Sequence, residues 1–212
     1  MASAQPTRPP TRRAQAAASR RTILRAARDA FLENGYHGAT MGEIAERAGF
    51  AVQTVSYIFG TKPRLISALI EATVRRAMGE TPPLDHDAWH VMLAGLPDGA
   101  TVLAEFVEGV HPVLMDVSGI LEVARIGAQT DPEVAAIHTF HEEWRRRDYA
   151  KVVGWLEQQD ALRPDLSADA ATDVLVTIAG PELYDTMVTR RHWDGPHVEA
   201  FVADTLKRLL LA

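Results

Sequence analysis

Residues 40–59 read TMGEIAERAGFAVQTVSYIF, and the fold follows from them. Thr40-Met41-Gly42-Glu43 is a capping box, in which the threonine hydroxyl accepts a hydrogen bond from an N–H in the first turn. It opens a short helix, Met41–Ala48, with Met41, Ile44, Ala45 and Ala48 on its inner face. Gly49 stops that helix. A second short helix spans about Val52–Phe59, and Val55 and Phe59, four apart, turn onto the first. Two short helices joined by a tight turn form a helix-turn-helix hairpin. Its second helix leaves Gln53, Thr54, Ser56 and Tyr57 on or near the open face. A helix of this kind enters the major groove of DNA, where glutamine bonds adenine bidentately and threonine offers a hydroxyl and a methyl to thymine. The hairpin on its own is common and is more often structural.

Upstream, a helix from about Ser19 to Glu33 carries Ile23, Leu24, Ala27 and Phe31 as its apolar stripe, and Asn34-Gly35 stops it. Downstream, Thr61 caps a fourth helix and Pro63 suits its first turn. One face of that helix holds Leu65, Ile66, Leu69, Ile70, Val74 and Ala77. Residues 1–18, rich in Pro, Ala, Thr and Arg, lack large apolar side chains and read as a disordered basic arm. Arg8, Arg12 and Arg13 of that arm are placed to reach a neighbouring minor groove.

Charge is distributed unevenly. The 212-residue chain carries 22 Lys+Arg and 28 Asp+Glu, a net of −6. Residues 1–80 hold twelve basic and six acidic side chains, so the remaining 132 residues carry −12. A basic front on an acidic body points to a polyanion as the partner of the front. Zero Cys excludes a disulfide scaffold, a thiolate metal site and a cysteine nucleophile, and fits a reducing compartment. No apolar run approaches the ~20 residues that span a bilayer, and Met1–Arg21 lacks the apolar core of a secretory signal. A cytoplasmic protein without membrane contact is expected.

The rest of the chain also reads as helices, and no alternating β-branched run marks a strand. The expected class is all-α. Breaks fall at Gly79–Pro83 and Leu96–Gly99. A helix from about Ala100 contains Pro112, which should kink it, and Gly119, where it should bend or break. Asp131-Pro132 starts a helix reaching about Gln159, and Ser167 starts one reaching about Arg190, interrupted at Gly180-Pro181. Gly195-Pro196 starts the last.

Other patterns are weaker. His138-x-x-His141-Glu142 places two imidazoles on adjacent turns, but two ligands do not make a metal site, and no metal is expected. His141 and Asp148 fall on the apolar stripe set by Val134, Ile137, Trp144 and Val152, where polar groups must find partners or line a cavity. Arg145-Arg146-Arg147 reads as a solvated face. No catalytic motif is present, so no catalytic residue and no cofactor are assigned.

Residues 21–69, RTILRAARDAFLENGYHGATMGEIAERAGFAVQTVSYIFGTKPRLISAL, resemble the N-terminal domain of the tetracycline-repressor (TetR) family of transcriptional regulators. The resemblance rests on Ile23-Leu24, Ala26-Ala27, Phe31, Gly35-Tyr36, Ala39-Thr40, Ile44-Ala45, Ala48-Gly49, Thr54, Phe59, Lys62 and Leu65. It implies that Thr40 contacts a phosphate, that Gln53 and Thr54 begin the recognition helix, and that Lys62 holds a phosphate with the helix N-terminus. Two positions depart from the family: Ser56 stands where a tyrosine is usual and Gln53 where a glycine is. The DNA-binding set expected is Thr40, Val52, Gln53, Thr54, Ser56, Tyr57 and Lys62, with Arg12 and Arg13.

A homodimeric repressor is then expected, released from a palindromic double-stranded operator by a small molecule. Residues 19–64 would bind DNA, and residues 65–212 would hold the effector and the dimer contact. The effector residues expected are Met92, Phe106, His111, Met115, His138, His141 and Trp144. The dimer face is expected from the last two long helices, at Leu175, Ile178, Leu183, Met187, Phe201, Leu206 and Leu210. The rival reading is an all-α carrier or enzyme with an incidental basic front.

Overall fold

The computed structural model describes residues 11–77 and 86–212, with side chains at 86–88 left aside. Among these residues no β-strand forms, and one isolated bridge pairs Leu162 with Leu211. The chain divides into two compact units, Met1–Leu69 and Ile70–Ala212. No helix among the described residues is long and apolar enough to cross a membrane.

The N-terminal unit holds α1 (Arg12–Gly38), α2 (Met41–Ala48), α3 (Val52–Phe59) and the start of α4 (Lys62–Ala77). The division falls inside α4 rather than at residue 64, because Leu65, Ile66 and Leu69 are buried in its first turns. α1 begins seven residues before the expected Ser19. Thr11 caps it by accepting from the Ala14 N–H at 3.3 Å. Residues 12–18, read as part of a disordered arm, are therefore helical. They are exposed, as their lack of apolar side chains requires, and the alanines and the cap supply the helix without burial. Residues 1–10 of the arm, with Arg8, lie outside the described residues.

Gly35 interrupts α1 at φ 68°, ψ −179°, a backbone state that side chains with a Cβ avoid. The turn brings Tyr36 back parallel to Phe31, ring centroids 6.2 Å apart. Ile23, Ala27, Phe31, Tyr36, Ile44, Val55, Phe59 and Leu65 close the small core. This is the apolar set that the sequence spacing gives.

The body holds α5 (His86–Ala94), α6 (Gly99–Gly127), α7 (Pro132–Gln158), α8 (Ala168–Ile178), the single turn α9 (Pro181–Tyr184), a π-helical segment Asp185–Arg190, and α10 (Gly195–Leu210). Asp98, Asp131, Ser167 and Asp194 cap α6, α7, α8 and α10 through their side chains. α6 runs through Pro112 and past Gly119, so the expected break at Gly119 does not occur. Pro112 and Glu108, whose carbonyl the proline releases, are both exposed, and water can take over the lost hydrogen bond. The interruption at Gly180-Pro181 is present and separates α8 from α9.

The core of the body is Leu103, Phe106, Val107, Tyr149, Val152, Leu156, Leu175, Val198, Val202, Leu206 and Leu210. Three expected dimer contacts, Leu175, Leu206 and Leu210, are 0% exposed and belong to this core. Ile178, Leu183, Met187 and Phe201 are half-buried against it. Helical spacing reveals an apolar stripe but not its partner, and here the strongest stripe is spent on the chain's own core.

Candidate nucleic-acid interface and the polar interior of the body

The helix-turn-helix is held from behind. Thr40 accepts from the Glu43 N–H at 3.1 Å, as the capping box requires. The Glu43 carboxylate turns outward from the box. It accepts from Asn34 at 2.7 Å and from Arg47 at 2.6 Å, and so ties the end of α1 to α2. Gly49 ends α2 in the left-handed conformation. Val55 and Phe59 are buried, and the Arg20 guanidinium lies 4.5 Å over the Phe59 ring, joining α1 to the end of α3. Sequence reading missed Arg20, because cation–π pairing across helices leaves no local pattern.

With its back fixed, α3 presents Val52, Gln53, Ser56 and Tyr57 to solvent, while Thr54 is half-buried. Tyr57 is 91% exposed. The first turn of α3 carries no side-chain cap, so its positive end is open to an anion. Thr40 is exposed, and Arg12 and Arg13 lie exposed in the first turn of α1.

Lys62 departs from the phosphate role that the resemblance implies. Its ammonium donates to the Tyr36 carbonyl at 2.8 Å and the Ala39 carbonyl at 3.2 Å, and sits 4.3 Å over the Tyr36 ring. The turn at Gly35 exposes those carbonyls, and Lys62 closes the gap. Its charge is engaged inside the domain.

The expected effector residues fall in several places. Phe106 is in the core, 5.8 Å from the Trp89 ring and 4.8 Å from Tyr149. His111 pairs with the Tyr184 hydroxyl at 3.2 Å, and His111 and Met115 both lie against Gly195. Burial draws the His111 pKa below its usual value, and Glu199 works against that. Burial lowers His141 in the same way. Met92 and Trp144 are 43% and 41% exposed on the outside of the body. His138 joins Glu142 and Glu182.

Two polar groups of the interior were not predicted. His90 Nε2 lies 2.6 Å from Asp148 Oδ1 in a buried pair, with the His90 ring 5.2 Å from Trp89 and 5.3 Å from Trp155. Arg145, expected on a solvated face, is 7% exposed, while Arg146 and Arg147 are exposed. The signal was present in α7. Val134, His138, His141, Arg145, Asp148 and Val152 recur at intervals of four and three, so four consecutive positions of one stripe are polar. The Tyr149 phenol, which burial holds neutral, donates to the Ala179 carbonyl at 3.0 Å.

Comparison with known proteins places these features. Residues 23–69 match the model of the bacterial regulatory proteins of the tetR family. A search of curated protein sequences finds no match. Among solved structures, a protein of Saccharomonospora viridis, described as a transcriptional regulator in complex with choline, is 20% identical. It superposes at TM-score 0.69 and covers 92% of this chain and 99% of its own. FadR of Bacillus subtilis in complex with stearoyl-CoA is 18% identical at TM-score 0.66, over 88% of this chain and 96% of its own. NalD, the secondary repressor of the MexAB-OprM efflux pump in Pseudomonas aeruginosa, is 17% identical at TM-score 0.67, over 93% and 98%. The fold is shared along nearly the whole length, while the sequence match is confined to the front. The N-terminal unit is a tetR-family domain of bacterial regulatory proteins, carried by a chain with the helical fold of those regulators.

Proposed function

We propose that this protein is a homodimeric transcriptional repressor that leaves its operator when a small molecule occupies the body. The observation that carries the reading is the two-sidedness of α3, with Val55 and Phe59 buried and Val52, Gln53, Ser56 and Tyr57 offered outward. Gln53 and Tyr57 read base edges and Thr40 holds a phosphate, with Arg12 and Arg13 adding charge along the duplex. One short helix reads few base pairs, so two copies bind two half-sites ~34–36 Å apart. Ile178, Phe201 and the exposed Leu209, on α8 and α10, form the dimer face in this reading. The S. viridis and B. subtilis neighbours, solved with choline and stearoyl-CoA, support a body that takes small molecules.

The test is fluorescence anisotropy of the full chain against the DNA upstream of its own gene, over a range of salt. Specific binding should weaken steeply, with a log–log slope near −0.9 per phosphate neutralised. Sedimentation should give a dimer. A chain that binds no duplex at low salt returns the rival reading, a helical carrier or enzyme.

A further inference from the structure

We propose that His138, Glu142 and Glu182 hold a divalent transition-metal ion, with Arg145 as a positioning residue. The site itself stands without the repressor reading; its effect on DNA rests on that reading. The three side chains offer one imidazole nitrogen and two carboxylate oxygens, all within 4.8 Å of one another. An ion bound at ~2.0–2.2 Å needs these donors to close by up to about 1 Å. The Glu182 side chain, 50% exposed, has the freedom to make that movement. One imidazole with two carboxylates suits zinc, manganese, iron(II) or nickel. It is too nitrogen-rich for calcium or magnesium and has no sulfur for copper(I). Three protein donors leave coordination positions open to water or a small anion.

Each element delivers its ligand for a local reason. His138 and Glu142 are four apart on α7 and share a face. Glu182 reaches them from α9 because the chain turns tightly at Gly180. A Cβ there would stand 2.4 Å from the Val176 carbonyl oxygen and 3.1 Å from Glu182 Oε2, so the turn needs glycine. Arg145 supplies the second layer. Its side chain is 9% exposed, and one terminal nitrogen lies 2.7 Å from both oxygens of Glu142 and 3.9 Å from Glu182 Oε2. Its Nε has no hydrogen-bond partner among the described residues. A buried guanidinium clamped on carboxylates adds little stability in itself, whereas a group that fixes a ligating carboxylate tunes ion affinity.

The surrounding charge allows a dication. Glu122 is taken up by Arg125 at 2.6 and 2.9 Å and approached by Arg190 at 3.5 Å, which also reaches Asp185 at 3.5 Å. The ligand set then carries two carboxylates against the single guanidinium of Arg145. A bound ion would bind α7 to α9, two helices that no covalent link or metal now joins.

The experiment uses full-length protein dialysed against EDTA. Zinc and manganese chlorides are titrated by calorimetry, and bound metal is counted after gel filtration. One ion per chain is expected, with affinity reduced at least tenfold in Glu182→Gln and in His138→Ala. Arg145→Lys keeps the charge and loses the fork, and should reduce affinity by a smaller factor. Circular dichroism melts confirm that the variants fold, and Glu182→Gln, being half-exposed, keeps the test valid if the others do not. Binding below one ion per chain, or binding that neither ligand variant weakens, overturns the site; the second outcome marks adventitious ions on surface histidines. Operator anisotropy with and without the ion then separates the two readings. A change of tenfold or more makes the ion an effector. No change keeps the site and removes its regulatory part. Absence of DNA binding in every state counts against the repressor reading alone.

Discussion

The two units of the molecule treat charge in opposite ways. In the N-terminal unit the buried set is apolar, from Ile23 and Phe31 to Val55, Phe59 and Leu65, and the ionic groups lie at or near the surface. In the body, His90, Arg145, Asp148 and Asp185 are all at least nine-tenths buried, alongside Thr73, Ser118 and Thr172. Every buried polar or charged side chain among the described residues belongs to this second unit. A domain that recognises a partner with its surface needs only a small apolar core to hold that surface still. Charges inside a helical bundle cost desolvation, and hydrophobic replacements would serve stability as well. The interior of the body is thus built around something other than stability, which is what a domain that receives ligands requires.

The largest effect is expected at the buried pair. Asp148→Ala leaves His90 buried opposite a methyl group and should cost about 3–5 kcal/mol in chemical denaturation. Replacing both, His90→Phe with Asp148→Leu, should recover most of that loss. A single variant that costs less than about 1 kcal/mol would erase the contrast between the two interiors.

Lys62 sharpens the comparison from the other side. Lys62→Met removes two hydrogen bonds to carbonyls and a cation–π contact, and should cost about 1–3 kcal/mol of stability. DNA affinity should then fall only as far as the domain unfolds. If Lys62 anchors a phosphate instead, stability stays intact and the salt slope drops by about one. Gln53→Ala, on the exposed face, should leave stability within about 0.5 kcal/mol yet shift preference at one base pair by ~1–3 kcal/mol. Competition between operator variants reads that shift.

The smallest effect is a pH slope. Burial lowers the His111 pKa in the folded chain, with Glu199 3.9 Å away opposing and the neutral Tyr184 hydroxyl beside it. The unfolded chain then takes up the proton first as pH falls below the usual histidine range. Stability should therefore decline on acidification there, and His111→Gln should flatten the decline. One histidine contributes at most about 1.4 kcal/mol per pH unit. An unchanged slope in the variant would mean that His111 is not the group responsible.

The N-terminal unit was legible because its instructions are local. Thr40 sits three residues from the N–H it caps, Gly49 follows the helix it ends, and Val55 and Phe59 are one turn apart. The bounds of α2 and α3 come out as the spacing gives them. Two readings failed there. Thr11 started α1 early through a cap on an exposed alanine run, and Lys62 went to carbonyls that only the Gly35 turn makes available. The interior of the body was illegible because its partners are remote. His90 and Asp148 are 58 residues apart, and Glu182 lies forty beyond Glu142. Arg145 was hidden inside a run of three arginines, two of which are solvated. Leu175, Leu206 and Leu210 show the same limit, since a stripe says that a face is covered without saying by what.

The π-helical segment Asp185–Arg190 holds a further consequence. Such a segment amounts to an α-helix with one residue inserted, and here the Arg191 N–H reaches back five residues to Thr186 at 3.0 Å. Deleting one residue between Thr186 and Thr189 would let the helix heal into regular α-geometry, locally a more favourable state. Everything after the deletion would rotate by about 100°. Arg190 would swing away from Glu122 and Asp185, and Trp193 would leave its stack on His197, now at a centroid distance of 3.9 Å. A shortened chain would gain a better helix and lose the alignment of three others, so the insertion sets the register on which the body depends.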